Sequence, residues 1–338
     1  MRAPIAAIAV SALLSGAYLG SALAQPTGFP SIMQPQDETP GPAVGVRFLP
    51  PPAGDFDPLS ASAEDLERTA YPPRPDIEKL PKAYERWKKA VALRKPQIIG
   101  SFAPANDSAT LTPTSIVHGP ARNLSAGVAK SPSNSIVFSN SSNWSGPAIF
   151  NIVNPLNVEA IQSEFVVPKA RQAFGKCSGG WDYSSLWPGI DGFGSSDVLQ
   201  AGVEADAYCN GATQAEFYSA WIEWYPFNST RVSLPQVGAG DLVFIQVWNT
   251  SPTQGWAYIA NFSNLQAATY SLVAPSGTTL SGSSVEWIVE RPGVGGGLAN
   301  LTNYIVAPWS IAVAWDYTAT PFTVYHPGQD PGGSAALY

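Results

Sequence analysis

The chain has 338 residues and a formal net charge of −7, and its 45% hydrophobic content is ample for the core of one large domain or two. Charged residues make up only 13%, well below the usual share of about a quarter. A chain this acidic and this sparsely charged is a poor candidate for binding nucleic acid, and its richness in Ser, Thr, Asn, Gly and Trp is typical of an exported β protein.

Residues 1–24 have the pattern of a secretory signal peptide. Arg2 precedes an apolar stretch, and small residues lead to an A-x-A cleavage site that ends at Ala24. Gly16 and Gly20 interrupt the stretch, and no other segment approaches the roughly 20 apolar residues that a membrane span needs. We expect secretion to the extracellular space or a periplasm, with no membrane association after cleavage.

Residues 25–135 differ from the rest of the chain and are predicted to form a propeptide. Residues 25–58 are rich in Pro and Gly and indicate a linker. Residues 60–95 predict a short amphipathic helical region, and residues 96–135 return to a linker rich in Ser and Pro. The helical prediction depends on a capping box and on apolar residues at helical spacing: Ser62 and Asp65, then Ala83, Trp87, Ala90 and Val91.

Charge divides at the same boundary. Residues 25–135 contain 12 Lys and Arg against 11 Asp and Glu, whereas residues 136–338 contain 5 against 14. This division suggests that the basic helical part docks on the acidic part as its own propeptide, and that acid weakens the docking by protonating carboxylates. A helical interaction module or a plain stalk is the alternative.

Residues 136–338 predict an all-β domain, because short alternating strands separated by Gly, Asn and Ser turns replace the helical signals. Its two cysteines, Cys177 and Cys209, are expected to form one disulfide in an exported protein. They have no neighbouring histidines, so we expect no metal site and no cofactor. We expect a monomer, because no coiled-coil pattern or obligate partner surface is evident.

Residues 283–292 predict a strand that carries two carboxylates. Alternation places Val285, Trp287 and Val289 on one face, and it places Glu286, Ile288 and Glu290 on the other. A carboxylate in an apolar strand must be exposed, paired or used in chemistry. Taken alone, the strand is compatible with two acids facing water.

Four further segments predict a cleft lined with polar and aromatic side chains. They are NWSG at 143–146, WPGIDG at 187–192, LQAGVE at 199–204 and AWIEWYP at 220–226. Alternation places Gln200, Gly202 and Glu204 on one strand face, and Trp221, Glu223 and Tyr225 on another. If these strands are neighbours, their polar faces form one surface.

These segments, together with VEWIVERP at 285–292, resemble the glutamic peptidases, or eqolisins, which are secreted endopeptidases that act in acid. The resemblance covers residues 142–322 and implies an antiparallel β-sandwich, of the concanavalin A or jelly-roll kind, whose concave face binds an extended polypeptide substrate. It implies that Gln200 and Glu290 form the catalytic dyad, with Glu286 as a neighbour. It also implies that the substrate contacts come from Trp144, Trp187, Asp191, Trp221, Glu223 and Tyr225, although Asp191 could equally serve the GIDG turn.

The residue types fit acid chemistry. The chain has only two histidines, His118 and His326, and an imidazole base would be protonated in acid. A carboxylate with a pKa near 4 can still accept a proton from water there, and an amide N–H can stabilise an oxyanion at any pH. Glu290 is therefore the expected base and acid, Gln200 the expected oxyanion donor, and insensitivity to pepstatin is expected.

Two other functions use similar residues. A glycosidase could use Glu223 and Glu290 across a groove lined with tryptophan, and a carbohydrate-binding module would need only the aromatic side chains. Gln200 separates the alternatives, because peptide hydrolysis needs its amide as a donor and the other two functions have no evident use for it. The sequence departs from the common family pattern at Ser219 and in a long loop at 169–183.

Overall fold

The computed structural model describes the chain over residues 54–93, 97–102, 116–123, 137–138, 140–150, 152, 158–173, 177, 179–304, 307–323 and 334–337. The expected signal peptide, most of the first expected linker and His326 lie outside the described residues. Within these ranges no helix is long and apolar enough to cross a membrane.

The described residues form short helices near the N-terminus and then strands as far as the C-terminus. The helices are α1 Ala63–Arg68 and α2 Pro81–Val91. The strands are β1 Gln97–Phe102, β2 Ile116–Val117, β3 Val137–Phe138, β4 Trp144–Ser145, β5 Ala148–Phe150, β6 Val158–Val166, β7 Gly180–Asp182, β8 Ser185–Ile190, β9 Val198–Asn210, β10 Thr213–Tyr225, β11 Thr230–Val232, β12 Leu242–Ser251, β13 Gln254–Asn261, β14 Gln266–Val273, β15 Ser284–Glu290, β16 Gly293–Val294, β17 Gly297–Leu298, β18 Trp309–Asp316, β19 Pro321–Thr323 and β20 Ser334–Leu337.

Two large sheets pack face to face. One sheet has seven strands in the order β1-β14-β13-β12-β6-β18-β19, and the other has ten, with the path β11-β10-β9-β8-β15-β5-β20-β3 and with β4 and β7 beside it. Pairing is antiparallel except between β1 and β14 and between β3 and β20. One hydrophobic core contains residues of both sheets, among them Phe165, Ile245, Val203 and Trp287. The prediction of an antiparallel β-sandwich is confirmed.

Strand alternation divides the ten-stranded sheet as its sequence pattern predicts. Val285, Trp287 and Val289 of β15 lie in the core between the sheets, whereas Ile288 packs on the opposite face with Trp187 and Trp221. Glu286 and Glu290 share that opposite face, and both are 0% exposed. The interpretation of β15 as a strand with two acids facing water is therefore wrong, because other parts of the chain cover both acids.

The helical part packs against the outer face of the seven-stranded sheet. Ser62 Oγ accepts the Asp65 N–H at the start of α1, so the expected capping box is confirmed, and the expected apolar face of α2 is buried. Ala83 and Ala90 lie against Phe244 and Tyr258 of the sheet. The Tyr258 hydroxyl donates to the Ala90 carbonyl at 2.9 Å.

Charge makes a limited contribution to this contact. Arg86 of α2 lies 3.4 Å from the buried Glu164 of β6, and Lys79 donates to the Thr318 carbonyl. Other contacts between the two parts are apolar packing and hydrogen bonds between uncharged groups, and neither kind changes its charge in acid. Release of the helical part in acid therefore stays a prediction. Among the described contacts, only the ion pair between Arg86 and Glu164 supports it.

The prediction of a linker over residues 96–135 is wrong for two stretches. β1 adds in parallel to the edge of the seven-stranded sheet beside β14, and β2 pairs antiparallel with β16. Both stretches contain β-branched residues, and sheet edges carry unpaired backbone groups that accept further strands. The predicted disulfide is confirmed, with the Cys177 and Cys209 sulfurs 2.06 Å apart.

Gly202 of β9 permits close packing at the centre of the ten-stranded sheet. A Cβ atom there would lie 2.5 Å from the Trp221 ring, 2.6 Å from the Leu186 carbonyl oxygen and 2.7 Å from Trp187 Cβ. We expect Gly202→Ala to lower the free energy of unfolding by about 1–3 kcal/mol, as overpacking does in cores. Chemical denaturation of the full chain measures this loss.

Gly180→Ala is the matched control, because a Cβ on this β7 glycine would meet nothing within 4 Å. Equal stability of the Gly202→Ala variant and the control would contradict the packing account.

Candidate active site

Strand register sets the site out in rows across the face of the ten-stranded sheet that lies opposite the core. One row runs through Glu223, Gln200, Gly189 and Glu286 on β10, β9, β8 and β15. A parallel row runs through Ser219, Glu204, Ser185 and Glu290 on the same strands. Small residues on β8 therefore form the floor between the acids of β9 and β15.

Glu290 is the carboxylate with the most hydrogen-bond donors at this site. Its Oε2 accepts the Trp187 indole N–H at 2.9 Å and lies 3.2 Å from His118 Nδ1, and its Oε1 accepts from Asn143 Nδ2 at 3.3 Å. Burial raises the pKa of Glu290, and the bonds from His118, Trp187 and Asn143 act in the opposite direction by favouring the ionised form.

Gln200 faces a peptide carbonyl. The fully buried Gln200 donates from Nε2 to the backbone carbonyl oxygen of His118 at 2.5 Å. Beside it, the Glu223 carboxylate accepts the His118 backbone N–H at 3.0 Å. Burial raises the pKa of Glu223 well above its ordinary value, and the neighbouring Glu290 and Glu204 raise it further.

Sequence reasoning missed two residues of this site, His118 and Glu204. The His118 ring is 0% exposed, stacks on Trp221 with the ring centroids 3.8 Å apart, and places Nε2 2.7 Å from Glu204 Oε1. Burial raises the pKa of Glu204 to about 8. Alternation along β9 had placed Glu204 on the Gln200 face, whereas no local pattern connects His118 with either residue.

Most of the side chains predicted as substrate contacts gather here. Trp144 donates from its indole to the Gly119 carbonyl at 3.1 Å and packs edge-on against Trp187. Trp221 and Glu223 contact His118, and Tyr225 approaches Gly119 closely. These residues therefore surround a segment of the same chain, residues 116–122, which we call the cleft segment.

Asp191 has a different environment. It adopts a left-handed backbone conformation with φ of 69°, and its carboxylate accepts the backbone N–H groups of Ser281, Gly282 and Ser283. These bonds belong to turn chemistry and do not support a substrate contact. The carboxylate instead raises the pKa of buried Glu286, which lies in register with Gln200 and makes no described contact with the cleft segment.

Comparison with known proteins gives the family. Residues 142–320, more than half of the chain, match the peptidase A4 family. The chain therefore belongs to this family and is a glutamic-type peptidase, which acts on polypeptides. This membership favours the peptidase prediction over the glycosidase and carbohydrate-binding alternatives.

Solved structures of glutamic peptidases are similar to parts of the chain. Scytalido-glutamic peptidase with a peptide-based transition state analog is 25% identical, with a TM-score of 0.40, over 52% of this chain and 81% of that one. SCP-B, an eqolisin in complex with the tripeptide Ala-Ile-His, is 23% identical, with a TM-score of 0.37, over 52% and 80%. Aspergilloglutamic peptidase from Aspergillus niger is 31% identical, with a TM-score of 0.34, over 36% and 71%. No curated protein matches the chain.

The buried carboxylates predict a protein that is more stable in acid. A carboxyl whose pKa is higher in the folded state than in the unfolded state stabilises the fold while it is protonated, and that contribution is lost as the pH rises. Glu204 has a pKa of about 8 against an ordinary 4.5, and the pKa values of Glu223, Glu286 and Glu290 are raised as well. We expect the free energy of unfolding of the full chain to fall between about pH 4.5 and pH 8, by up to about 1.4 kcal/mol per pH unit for each such group.

Thermal and chemical unfolding across this pH range tests the prediction. Glu286→Gln, which cannot ionise, should flatten the dependence. A stability that is constant or increases up to pH 8 would contradict the account of the buried carboxylates.

Proposed function

We propose that this protein is a secreted endopeptidase that hydrolyses peptide bonds in acid through a dyad of Gln200 and Glu290. The observation that carries the proposal is the position of the cleft segment. The amide of Gln200 donates to the carbonyl oxygen of His118, and the Glu290 carboxylate lies beside the same residue. An oxyanion donor thus lies at the carbonyl of His118 and a proton acceptor lies at its side chain, which brings together the two kinds of group that water attack on a carbonyl requires.

In the proposed reaction, Glu290 accepts a proton from water while the water oxygen attacks the carbonyl carbon of the substrate. The Gln200 amide donates to the oxyanion that develops, and this donor does not change with pH. Glu290 then gives its proton to the departing amine as the tetrahedral intermediate collapses. Water is the nucleophile, so the mechanism needs no covalent enzyme intermediate.

The surrounding carboxyls explain why Glu290 has this role and Glu286 does not. A base must be ionised, and Glu290 has donors from Trp187 and Asn143 that favour its ionised form. The pKa of Glu286 is raised well above its ordinary value by burial and by Asp191, which favours a permanent proton. In acid the protonated neighbours of Glu290 add little repulsion, so one carboxylate can ionise in the site.

We also propose that residues 25–135 are a propeptide, removed after secretion, in a protein that acts as a monomer. The docking of α2 on the outer sheet and the occupation of the cleft by residues 116–122 support this division of the chain. A segment that occupies both members of the dyad would keep the enzyme inactive as a zymogen until it leaves.

The dyad is tested by two substitutions in the full chain. Gln200→Ala removes the oxyanion donor and should lower kcat by roughly 10²- to 10³-fold. Glu290→Gln keeps the shape and removes the base, and it should lower kcat by at least roughly 10²-fold. Hydrolysis of a denatured protein at about pH 4, with pepstatin present, measures both effects.

Glu286→Gln is the matched control, since it changes the other glutamate of β15 in the same way, and it should keep most of the activity. If Glu290→Gln is fully active, or if Glu286→Gln is the inactive variant, the assignment of the base is wrong. Complete inhibition by pepstatin would contradict the expected inhibitor response.

A further inference from the structure

The cleft segment crosses the site as an extended peptide, and its backbone groups are bonded along its length. Ile116 and Val117 pair with Val294 and Gly293 of β16, and the Ile116 carbonyl accepts from Ser229. Beyond His118, the Gly119 carbonyl accepts from Trp144, the Pro120 carbonyl accepts from Asn143 Nδ2 at 3.1 Å, and the Ala121 N–H donates to the Gly192 carbonyl. A substrate held by its main chain would meet the same groups.

These bonds fix the register of the segment. The His118 carbonyl accepts a hydrogen bond from Gln200. The next carbonyl, that of Gly119, accepts one from the Trp144 indole. The peptide bond between His118 and Gly119 therefore lies between the oxyanion donor and the wall of the cleft. In this register, the His118 side chain is the side chain immediately before the bond at the dyad.

The pocket that receives this side chain suits an imidazole. We call it the imidazole pocket and define it by Glu204, Trp221 and Glu290. Trp221 presents a flat face to the ring, with an interplanar angle of 14°, and the two acids lie at opposite ring nitrogens, 2.7 Å and 3.2 Å away. An imidazole that is protonated in acid has an N–H at each nitrogen and carries charge, so it suits a pocket with an acid near each nitrogen and an aromatic face beside the ring.

We propose that the imidazole pocket selects histidine immediately before the cleaved bond, with Glu204 as the specificity-determining residue, and that His118–Gly119 is a bond placed for the chain's own processing. This inference rests on the proposed function. A histidine that only fills space would not need an acid beside each of its ring nitrogens. Glu204 is the anchor because its contact is the shorter one and because Glu290 must be free to act on water.

The cleavage step balances without a further reagent. Water replaces the contact between His118 Nδ1 and Glu290, and its oxygen adds to the carbonyl carbon of His118. Glu290 carries the water proton to the nitrogen of Gly119 as the carbon–nitrogen bond breaks. The products are a chain that ends in the carboxylate of His118 and a chain that begins with the amine of Gly119, with no change of oxidation state.

The test compares peptides that differ at one position. The full chain is held at pH 4 and then given an octapeptide with the sequence of residues 115–122, or the same peptide with Leu or Gln in place of His. We expect cleavage after the fourth residue, with kcat/KM highest for the histidine peptide. Glu204→Leu, which removes the carboxyl group beside the ring nitrogen, should reduce the preference for His over Leu by roughly ten- to hundredfold, as expected when a buried N–H loses its polar partner.

Glu159→Leu is the matched control, since it removes a carboxyl group from β6 in the other sheet and should leave the preference unchanged. Mass spectrometry of the acid-treated chain should also show a new N-terminus at Gly119, and His118→Leu should slow its appearance.

The outcomes separate this inference from the function on which it rests. Equal hydrolysis of the peptides, an unchanged preference in Glu204→Leu, or cleavage at another bond would overturn the imidazole pocket and leave the peptidase standing. Failure of the full chain to hydrolyse any of the peptides or a denatured protein would overturn both.

Discussion

The structure depends on the burial of several carboxyl groups on one face of a β-sheet. Glu204, Glu223, Glu286 and Glu290 are at most 3% exposed and share the face of the ten-stranded sheet that lies opposite the core. Burying charged carboxylates is costly, so the fold is compatible with this arrangement only where most of them hold a proton or have strong donors. The same constraint that predicts greater stability in acid supplies a site in which one glutamate can ionise among neutral neighbours.

Small and aromatic residues make this burial geometrically possible. Gly202 lies against Trp221 and Trp187, and Gly189 lies against the Trp187 ring. The indole rings can therefore approach the sheet backbone closely between the two rows of acids. The indole N–H groups of Trp144 and Trp187 then serve as donors to the cleft segment and to Glu290. Packing, hydrogen bonding and pKa are therefore set by the same few side chains.

The sequence was most informative where the relevant signal is local. Alternation along β9, β10 and β15 predicted which side chains share the face opposite the core, and helical spacing predicted the buried side of α2. It failed where the contact joins distant parts of the chain. His118 meets Glu204 and Glu290 across 86 and 172 residues, and no periodicity carries that information.

The region around His118 is a second example of contacts between distant parts of the chain that the sequence pattern does not reveal. Residues 96–135 have the composition of a linker, yet β1 and β2 lie within them as strands whose partners are β14 and β16. The choice between Glu286 and Glu290 also could not come from register, because register places Glu286 level with Gln200. The family resemblance favours Glu290, and donors from Asn143, which precedes β4, and from Trp187 of β8 support that choice.

The central claim is that Glu204, Glu223 and Glu286 hold their protons above the ordinary range and leave Glu290 as the glutamate that ionises. Carbon-13 NMR of the glutamate side-chain carboxyls in the full chain, titrated from acid to pH 8 and assigned with single Glu→Gln variants, measures this directly. The account predicts that Glu204, Glu223, Glu286 and Glu290 titrate above the ordinary 4.5, with Glu204 near 8. Titration of all four at or below 4.5 would contradict it.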